Sequence, residues 1–245
     1  MNRGQIISEV LNFMPYKKIN FVNLTGNGLD IMLIYRYQPF TVFNDIDKNI
    51  FWLFKTIRDP DDLSMFREIM RQHDDVTNKF TVKNHVRLSD FPEMLVKDYV
   101  FAAYLFYLCY HNSISFYIDV IRDNLREVPV QVPESVREHL HSIPYIYEIY
   151  LRFSVIQIDC LDIEKCISTY DSTDTFFYGE FSKLSNIDID KLFDVLNNIK
   201  GLYTIVLSDD QVTSKMKDNV VKHVWRLSIV SNYDYSAQLI KLPGS

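Results

Sequence analysis

Apolar residues recur at helical spacing through Ile6, Ile7, Val10, Leu11 and Met14, and Pro15 closes that first segment. Ile19 to Leu24 then reads as a short β run, and Thr25-Gly26-Asn27-Gly28 forms a turn. Leu29 to Tyr37 has helical character. Past Pro39, Phe40 to Phe43 reads as a second strand, ended by Asn44-Asp45-Ile46-Asp47, and Lys48 to Arg58 follows as a helix. Strand, glycine turn, helix, strand and acid in this order predict a βαβ unit of a parallel sheet.

Between about residues 60 and 150 the alternation lapses. Helical patterns cover Leu63 to Met70, Asp98 to Tyr110, Ile114 to Ile121 and Ser135 to Leu151, interrupted by Pro129, Pro133 and Pro144. The α/β rhythm resumes with Val155 to Ile158 (strand), Ile163 to Ser168 (helix) and Thr175 to Tyr178 (strand). Asp190 to Lys200 (helix) and Leu202 to Leu207 (strand) complete it. Val220 to Ile229 and Ala237 to Leu242 are read as an antiparallel hairpin around Ser231-Asn232-Tyr233-Asp234. The predicted fold is α/β, with a Rossmann-like, mostly parallel sheet ending in an antiparallel hairpin. Residues 1–59 and 152–245 form the core, and 60–151 a helical insertion.

Composition narrows the class. With 47% apolar and 24% charged residues among 245, the chain is an ordinary globular protein with a sizeable core. Three cysteines (Cys109, Cys160, Cys166), an odd number without metal-ligand spacing, argue for reduced intracellular thiols and against a zinc site. The dozen apolar residues from Tyr99 to Tyr110 are too few to span a bilayer, and MNRGQIISEV lacks the apolar stretch of a secretory signal. No membrane role is expected. The formal charge of −6 requires any nucleic-acid contact to rest on a local basic patch.

Two stretches carry candidate chemistry. A glycine turn between a strand and a helix lets Thr25, Gly26, Asn27 and Gly28 offer backbone N–H groups to a ligand with no Cβ in the way. Asp45 lies 19 positions after Gly26, the spacing at which an acid can reach ribose hydroxyls. In IDCLDIEKCI, Asp162 can accept a hydrogen bond from an adenine amino group with Ile163 against the ring, or it can cap the helix that it opens.

LTGNG, NDID, QIDCLDIEKCI, YDSTDTFFY and LNNIKGLYTIVLSDD occur in that order, and together with the terminal hairpin they resemble the Dam-like DNA adenine-N6 methyltransferases over nearly the whole chain. The resemblance implies a class I methyltransferase core and a target-recognition insertion. It also implies S-adenosylmethionine at the glycine turn, with Asp45 at the ribose and Asp162 near the adenine. Three departures accompany it. Arg3-Gly4-Gln5 stands where the family has a Gly-Gly-Lys-like element, Asn23-Leu24 replaces a proline and an aromatic, and Gly179-Glu180-Phe181-Ser182 replaces Asp-Pro-Pro-Tyr after Tyr178.

That tetrad holds the amine of a flipped adenine and stacks on its ring, and its prolines preset the loop. With Glu180 in the acid's place no aromatic falls in the stacking position; with Phe181 stacking, Tyr178 falls where the acid should be. Residues 61–150 carry nine basic against fourteen acidic side chains, a poor balance for phosphate contacts, although Lys79, Lys83 and Arg87 could form a patch. The expectation is a methyltransferase-fold protein that no longer catalyses and binds a protein partner or a nucleic-acid complex, with S-adenosylmethionine binding possible or lost. The rival is an active DNA adenine methyltransferase in which Glu180 holds the amine and Phe181 or Tyr178 stacks.

Overall fold

The computed structural model describes residues 3–15, 17, 19–35, 38–72, 146–181, 187–216, 219–224 and 226–233. The chain divides into two units, Met1–Ile46 with Leu161–Ser245, and Asp47–Cys160. The first unit is discontinuous in sequence, and the second lies between its two parts. The helix after the second strand belongs to the inserted unit, where its own side chains pack.

In chain order the described elements are α1 (Arg3–Leu11), β1 (Asn20–Asn23), α2 (Leu29–Ile34), β2 (Thr41–Asn44), α3 (Lys48–Arg58) and α4 (Pro60–Gln72). After these come α5 (Ile146–Phe153), β3 (Gln157–Asp159), α6 (Ile163–Tyr170), β4 (Thr175–Phe181), α7 (Ile189–Leu196), β5 (Leu202–Ser208), β6 (Val220–Val224) and β7 (Leu227–Ser231). In the first unit the strands run β2-β1-β4-β5-β7-β6. The pairs β1–β2, β1–β4 and β4–β5 are parallel, and β7 lies antiparallel to both β5 and β6. This is the predicted kind of sheet, mixed α/β and parallel until its last strands.

Both sheet faces are covered, which is why the parallel strands read as continuous apolar runs. On one face Val22, Val42, Phe177, Phe181, Ile205 and Leu207 pack with Cys166 and Ile167 of α6 and Leu192, Phe193 and Leu196 of α7. The other face carries an aromatic group, with Phe21 5.4 Å from Tyr35, 5.9 Å from Phe176 and 6.3 Å from Tyr178 between ring centroids. In the second unit α3 is amphipathic and stacks Phe54 on Phe153 of α5 at 4.4 Å and 12° between planes.

Three sequence expectations change. Predicted to end at Tyr178, β4 continues through Gly179 and Glu180 to Phe181, paired in register with Ile205, Val206 and Leu207 of β5. Neighbour pairing overrides the low strand propensity of Gly and Glu. The hairpin turns between Val224 and Leu227, inside the run read as one strand, because that turn has none of the Gly, Asn or Asp residues that would mark it. Residues 237–242, predicted as its second arm, lie outside the described residues. Val155 is exposed ahead of a three-residue β3 instead of opening that strand. The predicted helix at 63–70 lies within α4, and the remaining insertion helices fall outside the described residues apart from α5.

Tyr203 on β5 buries its ring edge-on to Phe193 at 6.1 Å, with its hydroxyl 2.7 Å from Asn219 Oδ1 and 3.0 Å from Asn197 Oδ1. Burial pushes its pKa up from 10.0 to about 12. Neutral phenol is therefore favoured by folding. The associated stability is fully present below pH 10 and is lost as pH rises through about 12. In denaturation measured from pH 8 to 12, Tyr203→Phe should be less stable than wild type by about 1 kcal/mol at pH 8. The gap should shrink above pH 10. A pH-independent gap would contradict this assignment.

Candidate functional site

The carboxyl ends of β1, β2 and β4 meet beside the glycine turn, as the rule for parallel sheets leads one to expect. Leu24 extends the β1–β4 ladder by one rung, its N–H donating to Tyr178 O at 2.7 Å. The chain then turns through Thr25 to Gly28, and Gly28 caps α2 at φ 80°, a left-handed conformation suited to glycine.

Across 155 positions of sequence this turn is tied to Glu180. The Glu180 N–H donates to Thr25 Oγ1 at 3.3 Å, and the Glu180 carbonyl accepts from Thr25 Oγ1 at 3.3 Å and Asn27 Nδ2 at 3.4 Å. Gly26 N–H donates to Asp45 Oδ2 at 2.5 Å. The predicted ribose acid thus serves here as an acceptor for the turn itself.

Alternation along β4 separates the tetrad's candidates. Tyr178 and Glu180 point to one face, and the Tyr178 hydroxyl donates to Glu180 Oε1 at 2.6 Å. Phe181 points to the other, inside the core with Ile205 and Leu207. Gly179 makes this possible. A Cβ there would lie 2.8 Å from Cε2 of Phe181, so the missing side chain leaves room for that ring instead of loosening the backbone. Tyr178 is 0% and Phe181 3% exposed, so neither offers a ring face on which a base could stack.

Gly28 faces the same group. A Cβ on it would lie 2.5 Å from Tyr178 Cε1 and 2.9 Å from Glu180 Oε1. The hollow that its hydrogen leaves is filled by this chain's own ring and carboxylate. Asp162 caps α6, accepting from Lys165 N–H at 2.8 Å, and Ile163 packs against the core cluster. Lys79, Lys83 and Arg87 lie outside the described residues.

Pattern reading missed two asparagines. Asn44 is fully buried at the end of β2, where its Nδ2 donates to Leu24 O (3.1 Å) and Leu161 O (3.0 Å) and its Oδ1 accepts from Leu161 N–H (2.9 Å). It locks the strand ends that frame the site. Asn23, in register with Tyr178, is also fully buried, and among the described residues its Nδ2 has no hydrogen-bond partner. Their only sequence signal was polarity at the end of an apolar run.

A second polar cluster lies beyond β5. Ser228 Oγ donates to Asp209 Oδ1 at 2.6 Å, and His223 Nδ1 lies 2.8 Å from Ser228 Oγ and 3.1 Å from Asp209 Oδ1. Hydrogen bonds from Ser228 and then His223 hold the Asp209 carboxyl below the usual carboxylate range. A hydrolytic relay needs the acid and the serine on opposite ring nitrogens, whereas both meet Nδ1 here, so the triangle ties β7 to the end of β5. A cavity of about 370 Å³ beside it is lined by Ser208, Asp209, Asp210 and Arg226. Among the described residues no group of His, Cys, Asp and Glu is arranged to hold a metal, and no helix is long and apolar enough to cross a membrane.

No family model matches the chain, and no curated protein matches it either. What fold and site define together is a mixed α/β protein, with a mostly parallel sheet closed by antiparallel strands and a polar glycine-turn site at its strand ends.

Proposed function

We propose that the chain is a methyltransferase-like protein without a working base clamp, acting as a binding or structural module for a protein or nucleic-acid partner. Supporting the methyltransferase likeness are the glycine turn after β1, the acid after β2 and the antiparallel closure of the sheet. Loss of adenine chemistry rests on one observation. Tyr178 and Phe181, the two rings that could stack on an extruded base, lie on opposite faces of one strand and are both buried. An enzyme must hold amine and ring together to about 1 Å, and moving either ring out would break the core around β4.

On this reading the turn no longer seats S-adenosylmethionine. The Gly28 hollow is filled by Tyr178 and Glu180, and Gly26 N–H is engaged by Asp45. Incubation of the full chain with labelled S-adenosylmethionine and duplex DNA of varied sequence should give no N6-methyladenine above a protein-free control. Protein-dependent N6-methyladenine, abolished by Glu180→Ala in a folded variant, would establish the rival reading of an active methyltransferase.

A further inference from the structure

We infer that the outer edge of β6 takes on an extended segment of a partner protein as a further antiparallel strand, its residues against β6 uncharged and β-branched. This rests on the reading of the chain as a binding module, and names the surface that binds. β6 ends the sheet order, and among the described residues nothing pairs with its outer side. The hydrogen-bond pattern fixes which groups lie there. Asp209 N–H donates to Arg226 O at 3.1 Å, so Arg226, Ser228 and Val230 turn their backbone groups to β5, and Leu227, Ile229 and Ser231 turn theirs to β6. Opposite those three stand Val224, Lys222 and Val220, which leaves Val221 and His223 presenting N–H and C=O outward.

Sheets protect such an edge with a proline, a bulge or a projecting charge. β6 has none of these in working form. All five of its residues pair with β7 without a slip in register, and its sequence VVKHV holds no proline. Lys222 is drawn onto Glu9 of α1, and His223 onto Asp209 and Ser228, so both ionisable side chains are engaged within the fold. Three valines remain, with Val220 37% exposed and Val221 and Val224 half-buried. That row suits β-branched neighbours across a ladder, whereas a charge opposite Val221 would lose water and gain no partner. The size of the edge selects the occupant. One five-residue strand offers roughly a few hundred Å², well short of the ~1,200 Å² that a stable complex of folded proteins buries. A second copy of the chain, paired through Val221 and His223, would also set Lys222 directly across from its own counterpart. A single flexible segment binds weakly and reversibly within that area, its main chain bonding to Val221 and His223.

The test is fluorescence anisotropy of the full chain with a labelled peptide, Lys-Val-Thr-Thr-Val-Val-Lys, whose central residues lie in order opposite Val224 to Val220. Saturable binding is expected. N-methylation of the peptide residue opposite Val221 should abolish it, and N-methylation of the one opposite Lys222, whose N–H points away from β6, should leave it intact. A glutamate in place of the valine opposite Val221 should weaken binding about tenfold. In the protein, Val221→Pro removes an outward N–H, keeps every hydrogen bond to β7, and should lose binding. Should Val221→Pro not fold by near-ultraviolet circular dichroism, the two methylated peptides decide with wild type. No saturable binding up to millimolar peptide overturns the inference, as do equal effects of the two methylations, equal binding of the glutamate peptide, or undiminished binding by folded Val221→Pro. Wild type that sediments as a dimer, and as a monomer after Val221→Pro, assigns the edge to a second copy and overturns it as well. Absence of peptide binding without N6-methyladenine defeats this inference alone, whereas wild type that methylates DNA defeats the proposed function whatever the edge binds.

Discussion

Phe181→Ala lowers the unfolding free energy by about 3–5 kcal/mol, the cost of emptying a buried aromatic site. Phe181 is only 3% exposed, packs in the cluster with Ile205, Leu207 and Phe193, and folds its ring over Gly179. Nothing behind it can collapse readily into the gap, because Gly179 has no side chain to offer and paired strands fix the backbone on β5. Urea denaturation with an unchanged m-value is the measurement. A surface ring waiting for a base would cost no more than about 0.5 kcal/mol when truncated. An effect that small would return Phe181 to the cleft and revive the stacking role.

The second large effect is at Gly28. Alanine there must adopt φ near 80°, at a cost of about 1–2 kcal/mol. Its methyl group would sit 2.5 Å from the enclosed Tyr178 ring, and overpacking of this kind adds about 1–3 kcal/mol. Together Gly28→Ala should destabilise the protein by about 2–5 kcal/mol. Gly28→Asn separates the two causes, since asparagine tolerates the left-handed region but keeps the clash. Both variants are read by chemical denaturation. Wild-type stability in Gly28→Ala would mean that Tyr178 and Glu180 do not fill the hollow.

Local signals along the chain were strong where one element answered one pattern. The helix at Lys48 to Arg58 appears with the predicted ends, and the first two strands lie within a residue of their predicted limits. Asp162 opening a helix was legible as a cap, because an aspartate before an apolar-periodic run has a local role. Conversely, the break after Tyr178 was read from composition, and the long β run from Val220 hid a turn. Pairing with β5 settles the first, and pairing of Val224 with Leu227 the second.

Of the site, the sequence identified its parts but not their relations. Thr25, Gly26, Gly28, Asp45, Tyr178 and Glu180 could each be picked out by residue type and spacing. That Asp45 accepts from Gly26 depends on β1 and β2, 19 positions apart at this contact, lying side by side; that Thr25 and Asn27 hold Glu180, whose side chain lies against Gly28, depends on β1 and β4, 153 to 155 positions apart there. The clamp made by Asn44 was not legible for the same reason, since it depends on the backbone atoms of Leu24 and Leu161.

By itself, then, the sequence determined an α/β chain with a parallel core, an interruption and a glycine turn followed by an acid, since periodicity and turn chemistry act over a few residues. Only the tertiary structure decided which face of β4 each candidate side chain occupies. Face is set by register, and register is set by neighbours distant in the chain. That placement buries Phe181 in the core and ties Tyr178 to Glu180.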